Sequence, residues 1–96
     1  MAAYWVARVT VNDECAYKKY TELAPLAFNK FEAKFLARGE KNFFLEGDDG
    51  FTRSVIIEFK NIDQAIACYN SPEYQHASTF RKGFAIVDSW IVDGVS

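Results

Sequence analysis

The stretch that decides the fold is FTRSVIIEFK, residues 51–60. Its residues alternate between two sets, an apolar one containing Val55, Ile57 and Phe59 and a mixed one containing Ile56 and Glu58. A period of two predicts a β-strand whose two faces have different surroundings. The four residues directly before it, GDDG at 47–50, predict a hairpin turn, because Gly and Asp tolerate the positive φ that tight turns require. The stretch is therefore predicted to pair with the strand before it.

Three other segments have strand patterns. Residues 3–11 alternate in the same way, and residues 84–93 form a last strand with Ile86, Asp88, Trp90 and Val92 on one face. Residues 34–38 and 42–46 are predicted to be one long strand, with a bulge or bend at 39–41. The chain thus contains four predicted strands.

Helical patterns fill the gaps between these strands. After Asn12 and Asp13, which can cap a helix, apolar residues recur at spacings of three and four up to Phe31. Pro25 lies inside this helix and predicts a kink or a break and restart. Residues 62–69 form a short helix opened by Asn61 and Gln64 in a capping box, and a further helix runs from Ser71-Pro72 to about residue 82.

The order β-α-β-β-α-β, with the second helix in two pieces, predicts an α+β ferredoxin-like domain over residues 1–96. Its antiparallel sheet has the order 4-1-3-2, and the helices cover one face. The uncovered face carries six side chains, namely Tyr4, Val6, Arg8, Ile56, Glu58 and Trp90. Because this face is too apolar to remain in water, we expect a homodimer that packs two open sheet faces into a dimeric α+β barrel.

Composition limits the other partners. The formal charge is −2 over 96 residues, which lacks the basic excess that nucleic-acid binding needs. There is no apolar run of the ~20 residues that cross a bilayer, so no membrane association is expected. Cys15 and Cys68 lie on predicted helices at a spacing that fits no metal site, and we expect both to be reduced and buried. A cytoplasmic location is the corresponding expectation.

Seven segments carry a resemblance to a known family: AYWVARVTV, ECAYKKY, KFLARGEK, LEGD, IIEF, YNSPEYQ and VDG. With these the chain resembles the bacterial family called domain of unknown function 1330, over nearly its whole length. The resemblance implies the dimeric α+β barrel superfamily, whose members include cofactor-free monooxygenases, isomerases and stress-response proteins. The family has Gly-Gly after the first helix where this chain has Glu32-Ala33, which puts in question a left-handed helix stop at that point.

Arg8 is the most informative charge, because it lies in mid-strand on the face assigned to the dimer interior. A buried guanidinium needs a carboxylate or an anionic ligand. Asp88 and Glu58 are the predicted neighbours. The arrangement is interpreted either as a structural ion pair that sets the sheet register, or as a pocket in which Arg8 orients an anionic or carbonyl group and one of the acids is catalytic.

The other candidate ligand-binding residues are Tyr20, Arg38, Arg53, Tyr69, Tyr74 and Trp90. The aromatic ones would supply walls and hydroxyl donors, and the two arginines a polar rim, although exposed hairpin charges are more often only solvated. No metal or cofactor motif is present, and none is expected. Two hypotheses remain open. The first is a dimeric protein that binds a small organic molecule and acts, if it is an enzyme, without a cofactor; the second is a non-catalytic dimerisation module.

Overall fold

The structure is a computed structural model that describes residues 1–47 and 49–95. Its elements are β1 (Ala3–Val11), α1 (Glu14–Lys30), β2 (Lys34–Gly39), β3 (Arg53–Phe59), α2 (Ile62–Tyr69), α3 (Pro72–Ser78) and β4 (Ala85–Asp93). The four strands are antiparallel and lie in the order β2-β3-β1-β4. This confirms the predicted topology.

Alternation along β1 separates the two faces of the sheet. Trp5 is only 3% exposed and lies at the centre of an aromatic cluster on the helix side. Its ring centroid is 5.1 Å from that of Phe28 in α1, 4.9 Å from Tyr74 in α3 and 6.2 Å from Phe59 in β3. These distances are typical of favourable aromatic pairs. One tryptophan therefore ties two helices to two strands.

The opposite face carries the side chains predicted for it. In the sheet register Val6 lies opposite both Ile56 and Trp90, and Arg8 lies opposite Asp88. Residues directly opposite each other in a sheet point to the same side. Trp90 is 50% exposed, so this surface, which we call the open face, is apolar at its centre and faces solvent in the single chain.

Helix α1 starts as predicted, with the Asp13 carboxylate accepting from the backbone N–H of Ala16 at 3.0 Å. Of the predicted kink or break at Pro25, the break is wrong, because the helix is continuous from Glu14 to Lys30. Buried residues on both sides of the proline, Ala24 and Phe28, pack in the core. Tertiary packing on either side thus outweighs the missing hydrogen bond of Pro25.

The end of α1 has a left-handed residue although no glycine is present. Glu32 has φ +58°. Its N–H donates to the carbonyl of Asn29 at 3.1 Å, and the N–H of Ala33 donates to that of Phe28 at 3.0 Å. This pair of bonds is the Schellman motif, which usually has Gly at the left-handed position. The helix stop that Glu32-Ala33 put in question is therefore present.

Strand β2 ends at Gly39, so the predicted resumption over residues 42–46 is wrong. That segment finds no partner strand, since β3 begins only at Arg53 and the N–H of Thr52 donates to Val9 of β1 at 3.0 Å. Phe43 is accordingly 89% exposed. Of the predicted hairpin turn, Gly47 has φ +97°, and Asp48 lies outside the described residues.

The irregularity in β2 lies earlier than predicted. Phe35 pairs with Ile57 and Ala37 with Ile56, so Leu36 is an extra residue in the ladder. Beyond this bulge Arg38 is opposite Val55. Ile57 and Val55 both point to the helix side, and the bulge therefore brings Phe35 and Arg38 to the same face despite their odd spacing.

The second helical region is split as predicted. Ser71 caps α3, since its hydroxyl accepts from the N–H of Tyr74 at 3.1 Å. The helix ends at Ser78 rather than near residue 82, because the Ser78 and Thr79 hydroxyls bond carbonyls three residues back and the backbone continues in turns. At α2, Asn61 accepts from the N–H of Gln64 at 2.8 Å, but the Gln64 amide donates to Phe31 instead of completing the capping box.

The cysteines differ from each other. Cys68 is buried in α2 as expected, whereas Cys15 is exposed, so the expectation of two buried thiols is wrong for Cys15. Position 15 lies in the first turn of α1, on the side turned away from the core. No helix in the described part of the chain is long and apolar enough to cross a membrane.

Candidate functional site

A cavity of about 400 Å³ lies between the sheet and α1. Aromatic and aliphatic side chains form most of its wall, including Trp5, Tyr17, Phe28, Phe35 and Ile57. Polar groups are few and lie at its inner end and at its mouth. A volume of this size with an apolar wall and a small number of polar groups is typical of small-molecule sites.

The inner polar group is a pair of tyrosines. The hydroxyl oxygens of Tyr20 in α1 and Tyr74 in α3 are 2.9 Å apart, and both residues line the cavity. Tyr74 is only 2% exposed, and its ring contacts Trp5. The two helices therefore place two phenols side by side at the cavity wall.

Arg81, in the turns after α3, lies behind this pair. Its guanidinium carbon is 5.7 Å from the ring centroid of Tyr20, and its Nε is buried without a hydrogen-bond partner among the described residues. Burial lowers the pKa of Arg81, but interactions with the hydroxyls of Tyr74 and Tyr20 outweigh it, so that the pKa is raised overall. Arg81 is thus a permanent cation beside the two phenols.

Burial also keeps two cavity phenols, those of Tyr20 and Tyr17, protonated by raising their pKa. It raises the pKa of Tyr20 well above its ordinary value, and Tyr74 adds to the effect. Burial raises the pKa of Tyr17 as well, against a smaller opposing effect of Arg53. Near neutral pH these hydroxyls act as hydrogen-bond donors and not as general bases.

The mouth of the cavity carries two arginines with different partners. Arg53 pairs with Glu14 and, at 3.2 Å, with Glu40, so its charge is compensated within the chain. Arg38 has its guanidinium carbon 4.8 Å from the ring centroid of Phe35 and no ion pair with any described residue. Of the two predicted rim arginines, Arg38 is the one available to a ligand.

The remaining predicted residues lie on the open face. Arg8 donates to Asp88 at 3.2 Å, and its guanidinium lies over the ring of Phe51 at 4.5 Å. Glu58 accepts from the hydroxyl of Tyr4 at 3.5 Å. Neither these charges nor Trp90 are among the residues lining the 400 Å³ cavity. The structure therefore divides the candidate residues between two opposite faces of the sheet.

Tyr69 belongs neither to the residues lining the cavity nor to those on the open face. Its ring contacts Trp5 at 5.6 Å and Tyr74 at 5.6 Å, but it is half-exposed and does not line the large cavity. Tyr20, Tyr74, Arg38 and Arg53 are the predicted residues that the fold brings together. Arg81 was not among the predicted site residues. The one signal in the sequence is that it lies two residues before Gly83, which has a positive φ in the connection to β4.

Among the described residues, no group of three or more His, Cys, Asp or Glu side chains could hold a metal ion. The donors at this site are phenols and guanidinium groups. An arrangement of this kind can bind and orient an acceptor-bearing organic molecule through hydrogen bonds.

Fold and cavity together define a ferredoxin-like α+β protein with one helix-covered sheet face. The family model for the domain of unknown function 1330 (DUF1330) matches residues 2–95, and the chain belongs to this family. No curated protein matches the chain.

Several solved structures share the fold. A protein of unknown function from Rhodopseudomonas palustris superposes with a TM-score of 0.78 at 15% identity, covering 99% of this chain and 83% of that chain. A dimeric protein of unknown function with a ferredoxin-like fold from Bacteroides fragilis gives 0.63 at 12% identity, covering 97% and 96%. SnoaB, a cofactor-independent oxygenase from Streptomyces nogalater, gives 0.65 at 13% identity, covering 99% and 94%. At these identities the likeness shows the fold alone.

Proposed function

We propose that this protein is a homodimer that binds a small organic molecule in the cavity between the sheet and α1. The observation that carries the proposal is the cavity itself. About 400 Å³ remains open although the aromatic cluster around Trp5 packs closely at one end. Protein interiors are otherwise close-packed, so an unfilled volume of this size is unusual in a purely structural domain.

The wall indicates which molecules fit. Trp5, Tyr17, Phe28 and Phe35 present ring faces and edges, which favour a flat aromatic ligand. The phenols of Tyr20 and Tyr74 are the inner polar contacts, and Arg38 is the contact at the mouth. The predicted role of Arg8 as the ligand-orienting group has no support from this cavity, since Arg8 lies on the other face of the sheet.

If the protein is an enzyme, a cofactor-free reaction suits the site best. SnoaB, which has the same fold, is a cofactor-independent oxygenase. Burial raises the pKa of Tyr20 and keeps its hydroxyl protonated, so a reaction here would depend on hydrogen-bond donation to the substrate and on the substrate's own acidity. Glu40 is the carboxylate nearest to the cavity, but it is exposed and pairs with Arg53.

The open face supports the dimer. Trp90, Ile86 and Val92 are each about half-exposed there, at 50%, 57% and 46%. Pairing two such faces would remove this apolar surface from water. The structural neighbour from Bacteroides fragilis is described as dimeric. The Arg8–Asp88 ion pair lies on this face and would then be screened from solvent by the partner.

The binding proposal can be tested with a blocked cavity. Thr21 lies on α1 and lines the cavity, whereas the adjacent Glu22 is exposed and does not. We expect Thr21→Trp to abolish the thermal shift produced by small aromatic carboxylic acids, and Glu22→Trp to leave it unchanged. A compound library that shifts neither the wild type nor Glu22→Trp would overturn the proposal.

The alternative function is a dimerisation module without a ligand. The observation in its favour is that Arg8, Asp88, Glu58 and Trp90 all lie on the open face and away from the cavity. In that case the protein is dimeric in solution and no compound binds, so the same library together with light scattering separates the two functions.

A further inference from the structure

The cavity has hydrogen-bond donors at its inner end and too few acceptors to satisfy them. Tyr20 and Tyr74 each have one O–H group, and the 2.9 Å bond between them uses only one of the two. Among the described residues no other acceptor is bonded to either hydroxyl. One phenolic proton of the pair is therefore left for another partner.

Arg81 adds to this imbalance. A guanidinium has five N–H donors and no acceptor. Arg81 forms no ion pair with the described residues, and its Nε is buried without a hydrogen-bond partner. It lies 5.7 Å from the ring centroid of Tyr20, so its positive charge polarises the phenol pair from behind.

Buried donors in proteins are normally matched by acceptors, and a partly buried cation such as Arg81 is stabilised by negative charge. Water could provide the acceptor but not the charge. The other acceptor-bearing side chains of the wall, Thr21, Glu40 and Ser89, form no hydrogen bond with the phenol pair or with Arg81. Glu40 pairs with Arg53 at the mouth instead. The inner end is thus complementary to an oxygen atom that accepts hydrogen bonds and carries full or partial negative charge.

We propose that the ligand is a flat aromatic molecule that presents an anionic or carbonyl oxygen to the Tyr20–Tyr74 pair, with Arg81 as a positioning residue behind the phenols. This inference rests on the proposed binding function and names the ligand class and its orientation. The ring lies between Trp5 and α1, and the oxygen takes the free phenolic proton. Arg38 stays at the opposite end, near the mouth.

The test compares two probes that differ at one end, 2-naphthoate and 2-methylnaphthalene, by isothermal titration calorimetry. We expect the wild type to bind the carboxylate at least ~10-fold more tightly, because hydrogen bonds to charged groups are the stronger class. The double variant Tyr20→Phe/Tyr74→Phe, which removes both phenolic protons, should reduce that ratio by about 10-fold through the affinity for naphthoate. Binding of 2-methylnaphthalene should be unchanged.

The role of Arg81 is tested by the same ratio of the affinities for 2-naphthoate and 2-methylnaphthalene. Arg81→Met should lower it and Arg81→Lys should restore part of it, whereas a merely structural role would change both affinities together. Tyr4→Phe removes a phenol from the open face and is the matched control. Equal binding of the two probes by the wild type would overturn this inference and leave the binding function standing. If neither probe binds and the library of small aromatic carboxylic acids also gives no thermal shift, both this inference and the proposed binding function are wrong.

Discussion

The hydroxyl oxygens of Tyr20 and Tyr74 lie 2.9 Å apart, although the two residues are 54 positions apart in the chain. The bond joins the first helix to the third across the end of the cavity. It is therefore both a tertiary contact and part of the candidate site, and the two roles can be measured separately.

The contribution of this bond to stability can be measured with a double-mutant cycle. Tyr20→Phe and Tyr74→Phe should each lower the free energy of unfolding by about 1 kcal/mol, since each leaves the other hydroxyl without its partner. The double variant should lose less than the sum, with a coupling of roughly 0.5–1.5 kcal/mol. Urea denaturation gives these values. Strict additivity would show that the hydroxyls do not interact, and Tyr17→Phe serves as a neighbouring control.

The left-handed residue at the end of α1 predicts a stabilising substitution. Glu32 adopts φ +58°, which costs a residue with a Cβ atom about 1 kcal/mol relative to Gly. We expect Glu32→Gly to raise the free energy of unfolding by about 1 kcal/mol. For a domain of this size the melting temperature should rise by about 4–8 °C. Glu32→Ala keeps the Cβ atom, so an equal rise in that variant would contradict the explanation.

The open face predicts the oligomeric state. Trp90 lies at the centre of the open face and is 50% exposed. A carboxylate at this position would be buried without a partner in the proposed dimer. Trp90→Glu should therefore be monomeric at micromolar concentration, as measured by sedimentation velocity, while the wild type is dimeric. Leu26 is 62% exposed on α1, and Leu26→Glu should remain dimeric. A monomeric wild type would refute the dimer.

Alkaline pH should destabilise the fold through Cys68. Burial raises the pKa of its thiol from 9.0 to about 12, so the folded chain keeps a proton that the unfolded chain loses. Stability is complete below pH ~9 and falls as pH rises toward ~12, with a slope of up to about 1.4 kcal/mol per pH unit from this one group. Burial of Tyr20 adds to the fall above its ordinary pKa.

The measurement is urea denaturation at a series of pH values. Cys68→Ala should lose stability less steeply between pH 9 and 12 than the wild type. Cys15 is exposed, and Cys15→Ala should follow the wild-type curve. Identical slopes in all three proteins would mean that the thiol of Cys68 does not titrate as described.

Alternation was sufficient to predict the sheet. The two faces of β1 follow from the pattern around Trp5 and Val6, and the pairing of Arg8 with Asp88 follows from the strand order. The faces follow from the alternation of residues along each strand, and the pairing follows from the order β-α-β-β-α-β, which is compatible with few sheet topologies. The sheet order and both faces of its central strands can therefore be predicted from the sequence.

Other features depend on contacts between distant segments. The continuity of α1 through Pro25 and the end of α3 at Ser78 were decided by core packing and by local hydroxyl bonds. No local pattern distinguishes Glu32 as a left-handed residue. Tyr20 and Tyr74 were candidates for ligand binding, but nothing in the sequence indicated that Arg81 would lie behind them. Sequence patterns specify faces, whereas the site depends on which elements meet.

The bulge at Leu36 determines which face of the sheet Arg38 occupies. Leu36 shifts the ladder by one, so that Arg38 shares a face with Phe35. Deleting Leu36 would remove the bulge and leave Phe35 and Arg38 two positions apart, still opposite Ile57 and Val55 and on the same face. The bulge thus separates the length of β2 from the orientation of its side chains, and the strand can lose Leu36 without moving Arg38 from the cavity to the open face.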